Sequence, residues 1–463
     1  MFDAHTYSQR RTKLRDDLGS GLVLLLGNEE SPMNYPANPY PFRQDSSFLY
    51  FFGLDYPSLA GVIDADEERD VVFGDDVTME DIIWMGYQPL LKERALKAGV
   101  EETMPWNKLG EILRQAIQRG RTIHFLPPYR SDISHKLATL LGITPAMVSE
   151  YSSTDLIKAI VAQRSIKTEE EVAQIEKALG ITYEMYTAAM KMAKSGVYEQ
   201  EIVGRMEGIA LSAGCLMAFP TILSIDGQIL HNHYHGHELE EGRLIVCDAG
   251  SESPMHYASD ITRTFPVDGQ FTSRQKRIYE TVLRTQTSAI DHMKPGVSYK
   301  EVHLGAAKTI ASGLKDVGLM KGDVNEAVEQ GAHALFFPHG LGHQIGLDVH
   351  DMEDLGEKFV GYDDNTQRSE QFGLAYLRYG KELKAGLVMT VEPGIYFIPA
   401  LIDKWKAEKK LAEFIDYDKV EDYKDFGGVR IEDNVLITKD GSRVLGKPIP
   451  KSVEEVESIT AKG

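Results

Sequence analysis

The stretch FFPHGLGHQIGLDVHD, residues 336–351, is the part of the sequence that indicates most about the fold. It holds three histidines, His339, His343 and His350, with glycines between them. Glycine adds little side-chain bulk, so a substrate could approach these histidines closely. The glycines do not have the spacing of a dinucleotide-binding loop, and the chain has no HExxH zinc motif. A lone histidine is more often structural, so the meaning of this stretch depends on the acids elsewhere.

Two pairs of acids lie in or beside apolar runs that are typical of strands: Asp248 with Asp260, and Glu392 with Glu432. A charge in an apolar strand is costly unless it is paired or bound to a cation. Four carboxylates and an imidazole form a hard, oxygen-rich ligand set that suits divalent ions. Two ions about 3.5–4 Å apart can share a bridging water and lower its pKa, so that it is present as hydroxide at neutral pH. The sequence therefore predicts a two-metal hydrolytic site.

The chain is predicted to have two domains. The first 155 residues have an α/β pattern, with strands predicted at Gly21–Leu26 and Phe48–Phe52 and a helix at Leu109–Arg119. Thr168 and Glu171 have the spacing of a capping box, and apolar residues follow at helical intervals. We place the domain boundary between residues 155 and 156.

Further helices are predicted in the second domain after Ser273 and Ser298. Gly196 is the predicted stop of the helix that begins near Thr168. Each half of this domain has helices followed by two strand-like runs that carry acids. This order indicates a loose internal duplication.

Composition narrows the function classes. The 463 residues carry a formal net charge of −20, which argues against nucleic acid and anionic membranes as partners. The segment Met1–Arg15 is polar, and no run approaches the ~18 apolar residues of a membrane span. Two cysteines, Cys215 and Cys247, cannot form a disulfide framework and indicate a reducing compartment. A soluble cytoplasmic protein is expected.

Taken together, five segments resemble the proline peptidases, prolidase and aminopeptidase P, which are relatives of methionine aminopeptidase. The segments are DAG (248–250), SDITRTF (259–265), HGLGH (339–343), VEPG (391–394) and GVRIE (428–432). The aromatic run that begins at Phe42 resembles their N-terminal domain. The resemblance implies a mixed-sheet α/β domain of the creatinase N-terminal type over residues 1–155, for oligomerisation and substrate access. It implies a pita-bread dinuclear metallopeptidase domain over residues 156–463.

The resemblance also implies the metal ligands and catalytic residues. The implied ligands of two divalent ions are Asp248, Asp260, His343, Glu392 and Glu432. Glu392 would also take a proton from the bridging water. His350 would polarise the scissile carbonyl and stabilise the developing oxyanion. His231 would lie near the scissile nitrogen. Manganese is the expected metal, with zinc or cobalt as alternatives.

Further residues match positions that bind substrate or support the site. His339 and Arg430 match polar supporting residues. Trp84 resembles a tryptophan that reaches the active site of a neighbouring subunit, in a homodimer or homotetramer.

Two features depart from the family pattern. The aspartates are twelve positions apart, where the family has eleven, and we expect the extra residue in the turn at Ser253–His256. If it lay within a strand, Asp260 would face away from the site. The segment His231–His237 holds four histidines, which predicts either a polar loop or an additional metal or substrate contact. His233 could replace His231 as the matching residue.

Prolidase and aminopeptidase P remain the competing functions. The forty positions between Glu392 and Glu432 resemble the longer prolidases, and Arg378 lies where those enzymes bind the substrate's free carboxylate. An Xaa-Pro dipeptidase is therefore expected, with an aminopeptidase acting on longer peptides as the alternative. A metal-free binding module is a remote third reading, because such proteins lack several of the ligands that this chain retains.

Overall fold

The computed structural model describes residues 1–461, and the chain divides into two compact units. The first unit comprises Met1–Arg164 and the short segment Met352–Phe359. The second comprises Ser165–Asp351 and the chain from Val360 onward. The boundary expected between residues 155 and 156 falls inside a helix that begins at Thr154, and it stays a prediction.

A five-stranded mixed sheet forms the centre of the first unit. Its strands are β1 (Leu22–Leu26), β2 (Ala60–Asp64), β3 (Arg69–Phe73), β4 (Glu102–Met104) and β5 (Ile123–His124). The order across the sheet is β4-β3-β2-β1-β5. The β1–β5 and β3–β4 pairs are parallel, and the β1–β2 and β2–β3 pairs are antiparallel. The mixed sheet predicted for this domain is confirmed.

Helices surround this sheet. They are α1 (Ala4–Leu18), α2 (Ser46–Phe52), α3 (Met79–Met85), α4 (Leu91–Lys97), α5 (Leu109–Gln118), α6 (Ser131–Leu141), α7 (Pro145–Val148) and α8 (Thr154–Ser165). One face of the sheet packs on α5 and α6, where Leu24, Val62, Leu113 and Leu137 belong to one buried cluster. Burying these side chains away from water is the main term that stabilises the unit.

The strand predicted at Phe48–Phe52 is wrong, because these residues form helix α2. Asp45 caps the helix by accepting a hydrogen bond from the Phe48 amide, and Gly53 ends it with φ at 62°. Every residue of α2 is buried. A short, fully buried apolar run has the same pattern in a helix and in a strand, so periodicity could not separate them.

The elements that follow in the chain begin with the capping box predicted at Thr168. The helices are α9 (Glu169–Met192), α10 (Glu199–Ser212), α11 (Ser273–His292), α12 (Tyr299–Asp316), α13 (Val324–Glu329), α14 (Glu357–Val360), α15 (Pro399–Ala407), α16 (Tyr417–Glu421) and α17 (Val453–Thr460). The strands are β6 (Ile222–Ser224), β7 (Leu244–Ala249), β8 (Ile261–Pro266), β9 (Val388–Val391), β10 (Gly394–Tyr396), β11 (Gly428–Arg430), β12 (Asp433–Ile437) and β13 (Ser442–Val444). Single-turn 3₁₀ helices lie at Trp106–Lys108, Val267–Gly269, Ala332–Leu335, Glu353–Leu355 and Leu374–Tyr376.

Local signals placed the long helices of the second unit well. The Thr168 hydroxyl accepts from the Glu171 amide, and the Glu171 carboxylate accepts from the Thr168 amide. Ser298 caps α12 in the same way. The cap of α11 is Thr272, one residue before the predicted Ser273. Helix α9 ends at Met192, four residues before the predicted glycine stop, which lies in the following turn.

Two helix-plus-strand halves build the second unit. Helices α9 and α10 precede the antiparallel sheet β6-β7-β8, and helices α11 and α12 precede the sheet β13-β12-β9 and the pair β10-β11. The Glu432 amide donates to the Thr262 carbonyl at 3.0 Å, and the Arg430 amide donates to Thr264 Oγ1 at 3.0 Å. These bonds bring the acid-bearing strands of the two halves together. Among the described residues, no helix has the length and apolar character needed to cross a bilayer.

Candidate active site

Strand pairing points the two aspartates to one side. Asp248 in β7 lies opposite Thr262 in β8, and Asp260 precedes Thr262 by two residues. Because side chains alternate along a strand, all three project from the same face. The Asp260 backbone is bracketed by Asn434, which accepts from the Asp260 amide at 3.1 Å and donates to its carbonyl at 2.6 Å.

The turn between β7 and β8 contains the segment Ser253–His256, where the extra residue is expected. Glu252 bridges to Ala258, and His256 adopts a left-handed φ of 64° inside this turn. A Cβ at Gly250 would lie 1.7 Å from the Ser259 carbonyl oxygen, so only glycine permits the strands to approach here. Both aspartates therefore face the same side, and the placement of the extra residue in this turn stays a prediction.

His343 joins acids from both halves. One ligand atom each from Asp260, His343 and Glu432 lies within 4.8 Å of the others, and all three residues are buried. His343 Nε2 is 3.3 Å from Asp260 Oδ2 and 3.7 Å from Glu392 Oε1. The His343 Nδ1 lies 3.0 Å from the Gln344 carbonyl, to which it donates. That bond fixes the tautomer and leaves Nε2 facing the acids.

Three carboxylate oxygens in this cluster are buried with no hydrogen-bond partner: Asp248 Oδ1, Asp260 Oδ1 and Glu432 Oε1. A buried polar atom without a partner is expensive, and native structures keep few of them. Oxygens that converge on an imidazole nitrogen are the donor set that divalent cations take in proteins. The residues present therefore fit a metal centre, and no other described group satisfies these atoms.

Crowding of the acids appears in their pKa values. Burial raises the pKa of Glu392 to about 8, with Arg430 opposing the rise and Asp260 and Asp248 adding to it. Burial, followed by the repulsion of neighbouring carboxylates, raises the pKa of Asp260 and of Glu432 well above the usual range. Cations would supply the opposite charge that keeps these groups ionised.

Arg430 holds the cluster from one side. Its Nη2 donates to Asp248 Oδ2 at 2.6 Å, and its Nε donates to Thr262 Oγ1 at 3.0 Å. The Thr262 hydroxyl in turn donates to Glu432 Oε2 at 2.7 Å. One guanidinium therefore orients ligands from both halves, which suits its rigid fork of donors.

His339 continues this network through a tyrosine. Arg430 Nη1 donates to the Tyr396 hydroxyl at 2.9 Å, and that hydroxyl lies 2.9 Å from His339 Nε2. His339 Nδ1 donates to the Gly340 carbonyl at 2.8 Å, so Nε2 is the acceptor for the tyrosine. Burial lowers the pKa of His339 to about 3, which keeps the ring neutral.

His350 lies beside the predicted metal-ligand histidine. The ring centroids of His343 and His350 are 4.0 Å apart. His231 is solvent-exposed, yet it lies within electrostatic reach of the same groups. Partial loss of hydration and then the charge of Arg430 lower the pKa of His231, whereas Asp248 raises it. The structure thus gathers these two histidines around the acid cluster.

Two other histidines of the His231–His237 segment, His235 and His237, contact other parts of the protein, and His233 is exposed. His235 Nδ1 donates to the Leu223 carbonyl at 3.1 Å. His237 Nδ1 lies 3.2 Å from Glu199 Oε2, and its Nε2 lies 3.6 Å from Asp226 Oδ2. These contacts anchor the segment and support the polar-loop reading over an additional metal site.

Arg378 and Trp84 differ in how the structure places them. The positive charge of Arg378 opposes part of the rise in the pKa of Glu392, so Arg378 is within electrostatic range of that carboxylate. Trp84 lies in α3 of the first unit and is 79% exposed.

Sequence reasoning missed several supporting residues. Thr262 donates to Glu432, Asn434 holds the Asp260 backbone, and Thr390 Oγ1 accepts from the His343 amide at 3.0 Å. Tyr396 joins Arg430 to His339. Each lies within four residues of a predicted ligand, so proximity in sequence was the available signal. Which of these neighbours turn inward is set by strand register.

Comparison with known proteins identifies the class. The profile of Metallopeptidase family M24 matches residues 173–439, and that of the aminopeptidase P N-terminal domain matches residues 7–124. The family match covers more than half of the chain. The chain belongs to Metallopeptidase family M24 and carries an aminopeptidase P N-terminal domain.

Relatives of two activities span nearly the whole chain. A probable Xaa-Pro aminopeptidase of Aspergillus clavatus is 33% identical over 97% of this chain and 95% of its own length. The human Xaa-Pro dipeptidase is 32% identical over 95% of this chain and 88% of its own length.

Solved structures agree with the family. Pseudomonas aeruginosa aminopeptidase PepP superposes with a TM-score of 0.82 at 26% identity, covering 100% of this chain and 98% of that one. A substrate complex of Escherichia coli aminopeptidase P has a TM-score of 0.80 at 28% identity, covering 99% and 98%. The resemblance to the proline peptidases and the predicted two-domain fold class are confirmed.

The unpartnered oxygen of Glu432 leads to a prediction about metal content. Glu432→Gln should lower the bound metal measured by elemental analysis after dialysis, because an amide is a weaker ligand and removes one negative charge. Glu199→Gln is the matched control, since Glu199 is equally buried but its hydrogen bonds go to the Ile225 amide and His237. Wild-type metal content in Glu432→Gln would contradict the ligand assignment.

Proposed function

We propose that the chain is a two-metal peptidase that hydrolyses the peptide bond between an N-terminal residue and a following proline. The observation that carries this is the cluster of Asp260, His343 and Glu432, whose two acids each keep one buried oxygen without a hydrogen-bond partner, in a chain similar over nearly its whole length to Xaa-Pro peptidases. Hydrolysis measured on Xaa-Pro peptides with the metal-loaded enzyme tests it directly. Absence of turnover on every such peptide would overturn it.

The proposed metal site uses five side chains. They are Asp248, Asp260, His343, Glu392 and Glu432. Two divalent ions bound there would supply a water nucleophile at neutral pH and polarise the substrate carbonyl. Oxygen-rich ligands favour manganese, with zinc or cobalt as alternatives. A Zn-substituted form of Escherichia coli aminopeptidase P is among the similar solved structures.

The chain's own residues would carry the proton and charge transfers. Glu392 is a fifth exposed, so its carboxylate can reach a water and accept its proton. His350, beside His343, would donate a hydrogen bond to the carbonyl oxygen as negative charge develops there. His231 would lie near the scissile nitrogen. Arg430 and His339 would hold this arrangement through Tyr396.

Arg378 favours dipeptides as substrates. A dipeptidase must bind the carboxylate directly on the proline, whereas an aminopeptidase must accept a continuing chain there. Arg378 places a positive charge near Glu392, where that carboxylate would lie. The insertion between Glu392 and Glu432, which contains α15 and α16, could narrow the far end of the pocket. The alternative is an Xaa-Pro aminopeptidase, the activity named for the Aspergillus clavatus relative and for several other relatives.

The predicted N-terminal domain, residues 1–155, would serve oligomerisation and substrate access. No residue of α3 is buried, and Ile83, Trp84 and Met85 are each more than 70% exposed. Exposed apolar clusters of this kind mark interaction sites, so a homodimer or homotetramer is the proposed assembly. A cytoplasmic location stays a prediction; both cysteines are free and buried, as a reducing compartment permits.

His350 and Glu392 should behave differently when truncated. His350→Ala should lower kcat about 10²–10³-fold while keeping the metal, because it loses one hydrogen bond to the developing oxyanion. Glu392→Ala should lose both turnover and metal, because it removes a ligand and the proton acceptor. Steady-state kinetics with elemental analysis checks both. Metal loss in His350→Ala would place His350 among the ligands instead.

Arg378→Ala should reduce a preference for dipeptides. The wild-type enzyme should have a higher kcat/KM on Xaa-Pro dipeptides than on matching tripeptides. A charge-assisted hydrogen bond is worth roughly 1.5–3 kcal/mol, so about ten- to a hundred-fold of this preference should vanish in the variant. Arg368→Ala, an exposed arginine that donates to the Ala375 carbonyl, is the control. A wild-type preference for tripeptides would favour the aminopeptidase alternative.

Trp84→Ala should raise KM with little change in metal content. Its ring would complete a neighbouring subunit's site, so the effect should accompany weaker self-association by analytical ultracentrifugation. Leu211→Ala, an exposed apolar residue on α10, provides the control and should change neither property. A fully active wild-type monomer at high dilution would rule out a site shared between subunits.

A further inference from the structure

A buried ion pair lies at the end of the stretch 336–351, and neither of its residues is a proposed metal ligand. Lys167 Nζ is 2.8 Å from Asp351 Oδ2, and each side chain is only 1% exposed. Asp351 directly follows His350 in the chain. The Lys167 amide donates to the Gly386 carbonyl at 2.9 Å, two residues before β9 begins. Two fully buried charges are retained at a cost in desolvation, so their position needs a reason.

The segment from Gln344 to Asp351 closes on itself around the Asp351 carboxylate. The Asp351 amide donates to the Gln344 carbonyl at 3.0 Å, and the Gly346 amide donates to the Asp348 carbonyl at 3.0 Å. A Cβ on Gly346 would lie 2.4 Å from Asp351 Oδ2, so the carboxylate rests against the backbone of the opposite side of the loop. The Lys167 ammonium therefore binds the group around which the loop is packed.

His350 lies on this loop, whereas His343 has a separate tie to strand β9. The His343 ring donates to the Gln344 carbonyl, and its amide donates to Thr390 Oγ1 at 3.0 Å. The Gln344 carbonyl also accepts from the Asp351 amide, whereas the bond to Thr390 ties His343 to β9 without passing through Lys167 or Asp351. His350 is joined by one peptide to Asp351, so a shift of the Asp351 carboxylate moves His350 relative to His343.

We propose that Lys167 is a positioning residue for His350. Its ammonium holds the Asp351 carboxylate and so sets the backbone that presents the His350 ring beside the metal-ligand cluster. The proposal rests on the oxyanion role proposed above for His350. A misplacement of about 1 Å, caused by a change away from the chemistry, can lower the rate about 10²-fold. Lys167 itself touches neither substrate nor metal in this scheme.

A double-mutant cycle tests the coupling in the metal-loaded, full-length enzyme. Lys167→Met, His350→Ala and the combined variant are compared by kcat on an Xaa-Pro dipeptide, with metal content measured in each. Lys167→Met should lower kcat about 10²-fold with wild-type metal content. In the His350→Ala background the same substitution should change kcat by less than about twofold, because the group it positions is gone.

The other outcomes are decisive as well. An equal loss in both backgrounds, an unchanged kcat, or metal loss in Lys167→Met would overturn the positioning role. A His350→Ala enzyme with wild-type kcat would overturn the oxyanion role itself, and this inference with it. These failures are distinguishable, because the single His350→Ala variant reports on the oxyanion role alone.

Two further variants separate positioning from loss of stability. Lys167→Met leaves a buried carboxylate uncompensated and could prevent folding. The doubly neutral Lys167→Met/Asp351→Asn protein leaves no buried charge, and the same cycle is then run with it, with the same expected coupling to His350. Leu314→Ala, a fully buried position in α12, is the stability control, and any loss it causes should be equal in both His350 backgrounds.

Discussion

The structure depends on the clustering of four carboxylates, three of them buried and that of Glu392 partly exposed. One oxygen each of Asp248, Asp260 and Glu432 has no hydrogen-bond partner, and burial with the repulsion of neighbouring carboxylates raises the pKa of Asp260 and of Glu432. Arg430 offsets part of this charge through Asp248 and, by way of Thr262, Glu432. One guanidinium cannot balance four carboxylates. Bound cations would therefore stabilise the folded chain, because they balance the negative charge of the clustered carboxylates.

The internal duplication makes this crowding possible. Each half contributes one pair of acids on neighbouring strands, and bonds such as that from the Glu432 amide to the Thr262 carbonyl join the two sheets. The long helices α9 and α11 cover their own half, with fully buried positions such as Ile175 and Val282. Hydrophobic burial on these helices contributes stability that offsets the electrostatic cost of the site. The helices therefore contribute stability, and the strands carry the acids of the candidate site.

Around the acids, the polar groups form chains whose members fix one another. Arg430, Tyr396 and His339 make one chain, and Lys167 with Asp351 leads to His350 by another route. Neutral His339 accepts from tyrosine because its other nitrogen is committed to a carbonyl. Such fully bonded networks are rigid in a low-dielectric interior. They orient the His339 ring and, in the proposed positioning role of Lys167, the His350 ring as well.

What the sequence determined by itself was the family, the ligand residue types and the helix starts. Acids in apolar runs are rare enough to be informative, and the capping pair Thr168–Glu171 is a local signal that needs no tertiary contact. Periodicity failed at Phe48–Phe52, because a fully buried helix and a buried strand have the same pattern. Only the tertiary structure decided that Thr262, Tyr396 and Lys167 turn toward the site. Their directions depend on strand register and loop closure between residues more than thirty positions apart, and no local pattern encodes those contacts.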